Sequence, residues 1–172
     1  MKKLCSVLAM LFILPIMVAT PAGAKEPVRG EMTLYFNEGF SPIATECPAN
    51  ITWAGTITLD EVTYGMAFFP TGARETGRAF HFEETWVVYR NPFGFEGGTL
   101  SACPSGPIVL EGYDSGVTSP NAKYRMSGVV DLSPDALDTF ANWDGRRVHM
   151  EGEITYNESG APLTAPGTFR LN

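Results

Sequence analysis

From Gly30 onward the chain changes sides at almost every residue. Met32, Leu34 and Phe36 alternate with Glu31, Thr33 and Tyr35, the period-2 pattern of a strand with one face in a core and one in water. Similar runs return at 50–59, 62–69, 78–89, 107–113, 123–132, 146–156 and 164–171. Clusters of Gly, Pro, Asn and Ser separate them, residue types that turn a chain. Strands that follow one another through links this short pair antiparallel, and a sheet of that size carries two exposed edges unless it closes on itself. The pattern therefore predicts an all-β chain forming a single antiparallel barrel of about eight strands. A two-sheet β-sandwich is the alternative that strand pattern alone leaves open. One short helix is expected at about 134–142: Ser133 suits an N-cap, Pro134 the first helical position and Gly145 the end. Leu137 and Phe140 would share its face and dock on an opening or edge of the sheet.

The first residues have a different grammar. Lys2 and Lys3 precede an apolar run from Leu4 to Ala19, and Ala22-Gly23-Ala24 ends it. A basic start, an apolar stretch and an A-x-A ending make a signal peptide, with cleavage expected after Ala24. Pro15, Pro21 and Gly23 break the run, and its unbroken part is short for a hydrocarbon core about 30 Å thick. The expected division is thus a signal peptide at 1–24 and one barrel domain at 25–172, secreted or periplasmic, with no stable membrane insertion once the leader is gone. The chain is acidic, with a net charge of −7 that becomes more negative when Lys2 and Lys3 leave. That argues against nucleic acid as a partner, because phosphate binding needs basic patches.

Cysteine use is consistent with export. Cys5 lies in the leader, which leaves Cys47 and Cys103, each followed by a proline. An oxidising compartment would join them in a disulfide, and closing so long a loop is worth roughly 4 kcal/mol in the chain-entropy account. No C-x-x-C pair suggests redox work.

Alternation also assigns the interior. Within 78–89 the even positions are Phe80, Phe82, Glu84, Trp86 and Val88, whereas the odd ones include His81, Glu83 and Thr85. The even face should point inward, joined by Tyr64, Met66 and Phe68, by Tyr124, Met126 and Val130, and by Val148, Met150 and Ile154. Such an interior either packs solid or encloses one small ligand. If it encloses one, the lining is Tyr64, Met66, Phe82, Glu84, Trp86, Tyr124 and Met126, an aromatic and methionine-rich surface suited to an apolar small molecule. Glu84 is the residue that breaks the apolar face. It is the weak candidate for a catalytic acid or base, or for an anchor of a polar ligand group, unless Arg125 or Arg147 pairs with it or a bulge turns it out. His81 and His149 fall on outward faces and make no metal site. Glu111, Asp114, Glu151 and Glu153 read as a solvated acidic set without the spacing of an EF-hand. No hydrolase, zinc-protease or P-loop motif occurs, and no metal or cofactor is expected. Asn50-Ile51-Thr52 and Asn157-Glu158-Ser159 match the glycosylation acceptor pattern.

Strand number, length and leader together resemble small secreted calycin-type barrels, and also the barrels of allene oxide cyclase and dirigent proteins. The resemblance implies a closed barrel around a lumen, and likeness at the level of fold carries no activity with it. Three functional readings follow. The first is a noncatalytic extracytoplasmic barrel that binds an apolar or amphipathic molecule in its mouth. The second is a cyclase or isomerase using Glu84 with Tyr64 or Tyr124. The third is a packed envelope or interaction module acting through its surface, with Pro92-Phe93-Gly94-Phe95 as a candidate patch.

Overall fold

The structure is a computed structural model, and it describes residues 27–36, 51–92, 95–96, 99–100, 106–119 and 121–172. Residues 1–24, Cys47, Cys103, Asn50, Phe93 and Gly94 lie outside the described residues.

The strands are β1 (Val28–Phe36), β2 (Trp53–Leu59), β3 (Val62–Thr76), β4 (Ala79–Tyr89), β5 (Phe95–Glu96), β6 (Thr99–Leu100), β7 (Ile108–Thr118), β8 (Lys123–Val130), β9 (Arg147–Glu153), β10 (Thr155–Tyr156) and β11 (Pro162–Leu171). In the large sheet the order is β1-β2-β3-β4-β7-β8-β9-β11, and β11 pairs back onto β1. Every pairing is antiparallel. The molecule is therefore a closed eight-stranded antiparallel barrel. Closure leaves these strands no free edge. The short β10 extends the start of β11, and β5 pairs with β6 apart from the barrel.

Register follows from the alternation. Met32 sits opposite Ile57, Phe68 opposite Trp86, Met126 opposite Met150, so the inward residues of neighbouring strands meet as pairs on one face. The β2–β3 hairpin turns through Asp60 and Glu61, both with positive φ (48° and 66°), the left-handed pair that matches the twist of a two-residue hairpin. Two strands run further than the apolar pattern suggests. β3 continues past Phe69 to Thr76, with its register shifting between Pro70 and Gly72, where a proline that cannot donate to the ladder is tolerated. β7 continues past Tyr113 to Thr118, and that extension matters for the site.

The expected helix is corrected. Ser133 and Pro134 open a turn, with the Ala136 N–H donating to the Ser133 carbonyl at 3.0 Å. A 3-10 helix follows only at Asp138–Trp143, without a side-chain cap and kinked at Phe140. Gly145, with φ of 72°, does end the segment. The capping signals are those of a turn, and six residues are too few for an α-helix to sustain itself. The segment is nonetheless held. The Leu137 N–H donates to the Ile108 carbonyl at 2.8 Å, the Ser133 N–H to the Glu111 carboxylate at 2.6 Å, and the Leu132 N–H to the Asp144 carboxylate at 3.0 Å.

The 131–146 connection closes one end of the barrel. Phe140 packs edge-on against Tyr64, with ring centroids 5.8 Å apart, and lies 4.4 Å from the Trp143 ring. Behind them Leu59, Met66, Trp86, Val88, Leu110, Met150, Phe169 and Leu171 are fully buried, and Trp86 meets Phe169 edge-on at 5.8 Å. A separate small cluster of Ile51, Ala54 and Ala67 sits apart from this core. Among the described residues no helix is long and apolar enough to cross a membrane.

Candidate functional site

The described residues of the other half leave part of the lumen open. A cavity of about 220 Å³ opens where β3 meets β4 and β7 meets β8 by their hairpins, walled by Leu34, Phe68, Phe82, Glu84, Tyr124, Met126, Ile154 and Ala165. Trp53, Phe80, Thr118, Tyr156 and Pro162 stand at its upper wall and rim. Local pairings shape this space. Phe82 lies opposite Gly116, and a side chain at Gly116 would meet its ring at 2.5 Å. Tyr124 lies opposite Gly152, and its hydroxyl also rests against Gly167. Large rings thus lie across glycines of the adjoining strands, which is why glycine interrupts otherwise regular strands here.

Of the expected lining residues, Phe82, Glu84, Tyr124 and Met126 meet in the cavity wall. Tyr64, Met66 and Trp86 point inward as expected and belong to the packed half. The Tyr124 hydroxyl donates to the Ala165 and Pro166 carbonyls at 3.4 and 3.3 Å, and burial pushes its pKa up. It therefore shares no hydrogen bond with Glu84, and Tyr64 is engaged with Phe140 at the opposite end.

Glu84 is 6% exposed and reaches the cavity from the middle of β4. Directly across from it in the β4–β7 ladder stands Asp114, 4% exposed. Opposite residues in an antiparallel ladder have Cα atoms about 4.5–5.5 Å apart and share a face, so two carboxyls lie side by side inside the barrel. Gly128 faces Asp114 from β8, and a side chain there would run into it at 2.6 Å. These are the two charged side chains buried among the described residues, and no described arginine faces them. Arg125 is exposed and lies 3.7 Å from Glu151 on the outer wall, and Arg147 is exposed as well. Both Asp114 carboxylate oxygens lack a hydrogen-bond partner, as does the indole Nε1 of Trp86, two residues from Glu84 on the same face. Burial, and then the charge of Asp114, raise the Glu84 pKa to about 8. Burial raises that of Asp114 to about 7. At neutral pH the pair holds at least one proton, since adjacent buried carboxyls resist double ionisation.

Asp114 is the site residue that sequence reasoning places on a solvated face. The inward positions of β7 beyond Leu110 are Gly112, Asp114, Gly116 and Thr118, a series with no apolar side chain to mark the buried face. The one available signal is spacing: these positions continue the even series that begins at Leu110.

A second grouping lies on the outer wall. Ser127 Oγ is 3.0 Å from His149 Nδ1, whose Nε2 is 3.7 Å from Glu151. The order serine, histidine, carboxylate resembles a hydrolytic triad, but here it is three neighbouring side chains on β8 and β9, substantially exposed. The strands that carry them, β8 and β9, are paired on both sides, so their N–H groups serve the ladder. His81, on β4, also faces outward. Among the described residues no group of three or more His, Cys, Asp or Glu side chains is arranged to hold a metal ion. Asn157 serves a turn: its side-chain carbonyl accepts from the Ser159 and Ala161 N–H groups at 3.0 and 2.9 Å.

No family model, curated protein or solved structure matches this chain.

Proposed function

We propose that this protein is a noncatalytic, extracytoplasmic barrel that takes a small apolar or amphipathic molecule into its open end. The observation that carries the reading is the half-filled lumen. One end is packed to the limit by Trp86, Phe169 and Phe140, while the other keeps an aromatic and methionine-lined space with Glu84 in its wall. An apolar cavity of about 150 Å³ suffices for a benzene-sized guest, and drug-sized ligands occupy about 300–1,000 Å³. At about 220 Å³, this one suits a molecule somewhat larger than a single ring. Packed interiors leave few voids larger than a water molecule, so this volume favours a binder over a solid module acting through its surface. The carboxyl pair is the feature that favours a cyclase or isomerase instead. The commitment of the Tyr124 hydroxyl to backbone carbonyls weighs against the tyrosine-assisted form of that chemistry.

The test is a titration with the uncharged fluorophore N-phenyl-1-naphthylamine. Saturable enhancement is expected from the wild-type protein, with quenching of Trp53 at the rim. In Thr118→Trp, a half-exposed rim position, the indole blocks the entrance, and affinity should fall by about ten-fold or more, the equivalent of about 1.4 kcal/mol. Equal enhancement in both proteins would place the fluorophore elsewhere and defeat the proposal.

A further inference from the structure

Glu84 in the cavity wall carries the chemistry that a ligand would have to meet, and Asp114 lies directly across from it in the ladder, outside the cavity lining. Both oxygens of Asp114 are buried without a hydrogen-bond partner, and Glu84 beside it faces the cavity. A buried polar group left unpaired costs free energy that a fold without a use for it would shed. The walls above are aromatic, with Phe80 and Phe82 stacked 6.5 Å apart and Trp53 and Tyr156 beside them. Among the described residues no cationic side chain lines the space. An acid set among aromatic walls matches one ligand chemistry, an apolar body carrying a protonated amine. The ammonium meets Glu84 by a charge-assisted hydrogen bond, Asp114 behind it adds negative charge to the site, and the rings face both the apolar body and the cation.

We infer that the cavity between the β3–β4 and β7–β8 hairpins is a site for a small primary amine, its ammonium held by Glu84, with Asp114 buried behind Glu84 as the neighbouring acid. The inference rests on the reading of the cavity as a ligand site and names the ligand's chemical class. It carries a proton balance. The empty pair retains a proton, and an incoming ammonium displaces it to the buffer, so binding of R–NH₃⁺ releases up to one proton per site.

Three probes of one skeleton separate the effects: 2-phenylethylammonium, 2-phenylethanol and phenylacetate, carrying positive, neutral and negative charge on nearly the same apolar body. Calorimetric titration at pH 7.5 should give the amine the tightest binding, about ten-fold or more over the alcohol as a charge-assisted contact warrants, and phenylacetate the weakest. Titration in two buffers of different ionisation enthalpy should show proton release for the amine and none for the alcohol. The Glu84→Gln, Asp114→Asn protein keeps the shapes of both side chains. Cooperative urea denaturation shows that it folds, and it should lose both the amine preference over the alcohol and the proton release. An alcohol bound as tightly as the amine, or an amine preference that survives in the double variant, overturns the inference. If N-phenyl-1-naphthylamine binds while the amine does not, only the amine inference falls. If neither binds, the ligand-site reading falls with it.

Discussion

The two halves of this barrel are built from the same eight strands and differ in what they do with the lumen. At the closed end, inward residues are large and apolar and meet ring to ring: Trp86 on Phe169, Tyr64 on Phe140, Phe140 on Trp143. At the open end the same strands place glycines, a threonine and two acids on that face: Gly116, Thr118, Gly152, Glu84 and Asp114. Each strand is thus divided between packing at one end and lining the cavity at the other. β4 shows it in one stretch of chain, with Val88 and Trp86 wholly buried, Glu84 in the cavity wall and Phe80 44% exposed. Stability is concentrated where packing is complete, and the free end tolerates buried carboxyls that a packed core would exclude.

The largest effect should therefore come from the closed end. Phe169 is wholly buried against Trp86, and Phe169→Ala should destabilise by about 3–5 kcal/mol, the cost of a lost ring and the void behind it. Urea denaturation of wild type and variant measures it. A loss below about 1 kcal/mol would mean the closed end is loosely packed, and the contrast between the halves would dissolve.

Next comes the carboxyl pair, where the expected effect depends on pH. Both groups have raised folded pKa values, about 8 for Glu84 and about 7 for Asp114, against ordinary values of 4.5 and 3.8. They bind protons more tightly folded than unfolded. Their stabilising contribution is complete below the ordinary values and is lost as pH rises through the folded ones. Wild-type stability should fall between about pH 4 and pH 8, and the Glu84→Gln, Asp114→Asn protein should show a flatter profile. At pH 8 the double variant should be the more stable by about 2–4 kcal/mol, because each ten-fold change in proton affinity is worth about 1.4 kcal/mol and the pair shares one proton. Parallel profiles would show that the acids are solvated, and the open end would then be merely wet.

Legibility in the sequence follows the same division. Where the inward face is apolar, as at Met32, Leu34, Tyr64, Met66, Trp86, Met126 and Met150, alternation locates both strand and orientation. Where the inward face is glycine and acid, the signal disappears. β7 looks finished at Tyr113 because Gly112, Asp114 and Gly116 bury no apolar side chain, and Asp114 reads as surface although it faces Glu84. Pro70 looks like the end of β3, since register shifts of this kind depend on the partner strand and not on local composition. Glu84 can be recognised because it interrupts an apolar series. The 3-10 segment is legible as a docked element and not as a helix type, because Ser-Pro-Asp suits a turn as well as a helix start.

The plug tests the closed end more gently. Leu137 is half-buried against the core, so Leu137→Ala should cost about 1 kcal/mol, less than the roughly 2–5 kcal/mol of a fully buried leucine. A cost above about 3 kcal/mol would make the plug as tightly packed as the barrel wall and move the boundary between the halves outward.

The smallest stability effect belongs to the rim, and there the comparison becomes sharpest. Phe80 is 44% exposed and Tyr156 46% exposed, although both rings stand at the cavity entrance. An aromatic ring in water gains little from folding, so Phe80→Ala should change stability by no more than about 0.5 kcal/mol. Its removal should weaken N-phenyl-1-naphthylamine binding several-fold, since ring contacts are worth about 0.5–1.5 kcal/mol beyond area burial. Phe169→Ala, at the other end, should reverse the ratio, costing stability while sparing affinity when measured where the variant is still folded. If the rim substitution cost stability and left binding intact, Phe80 would be a packing residue. The division of each strand into a structural half and a binding half would then be wrong at the residue where it is easiest to see.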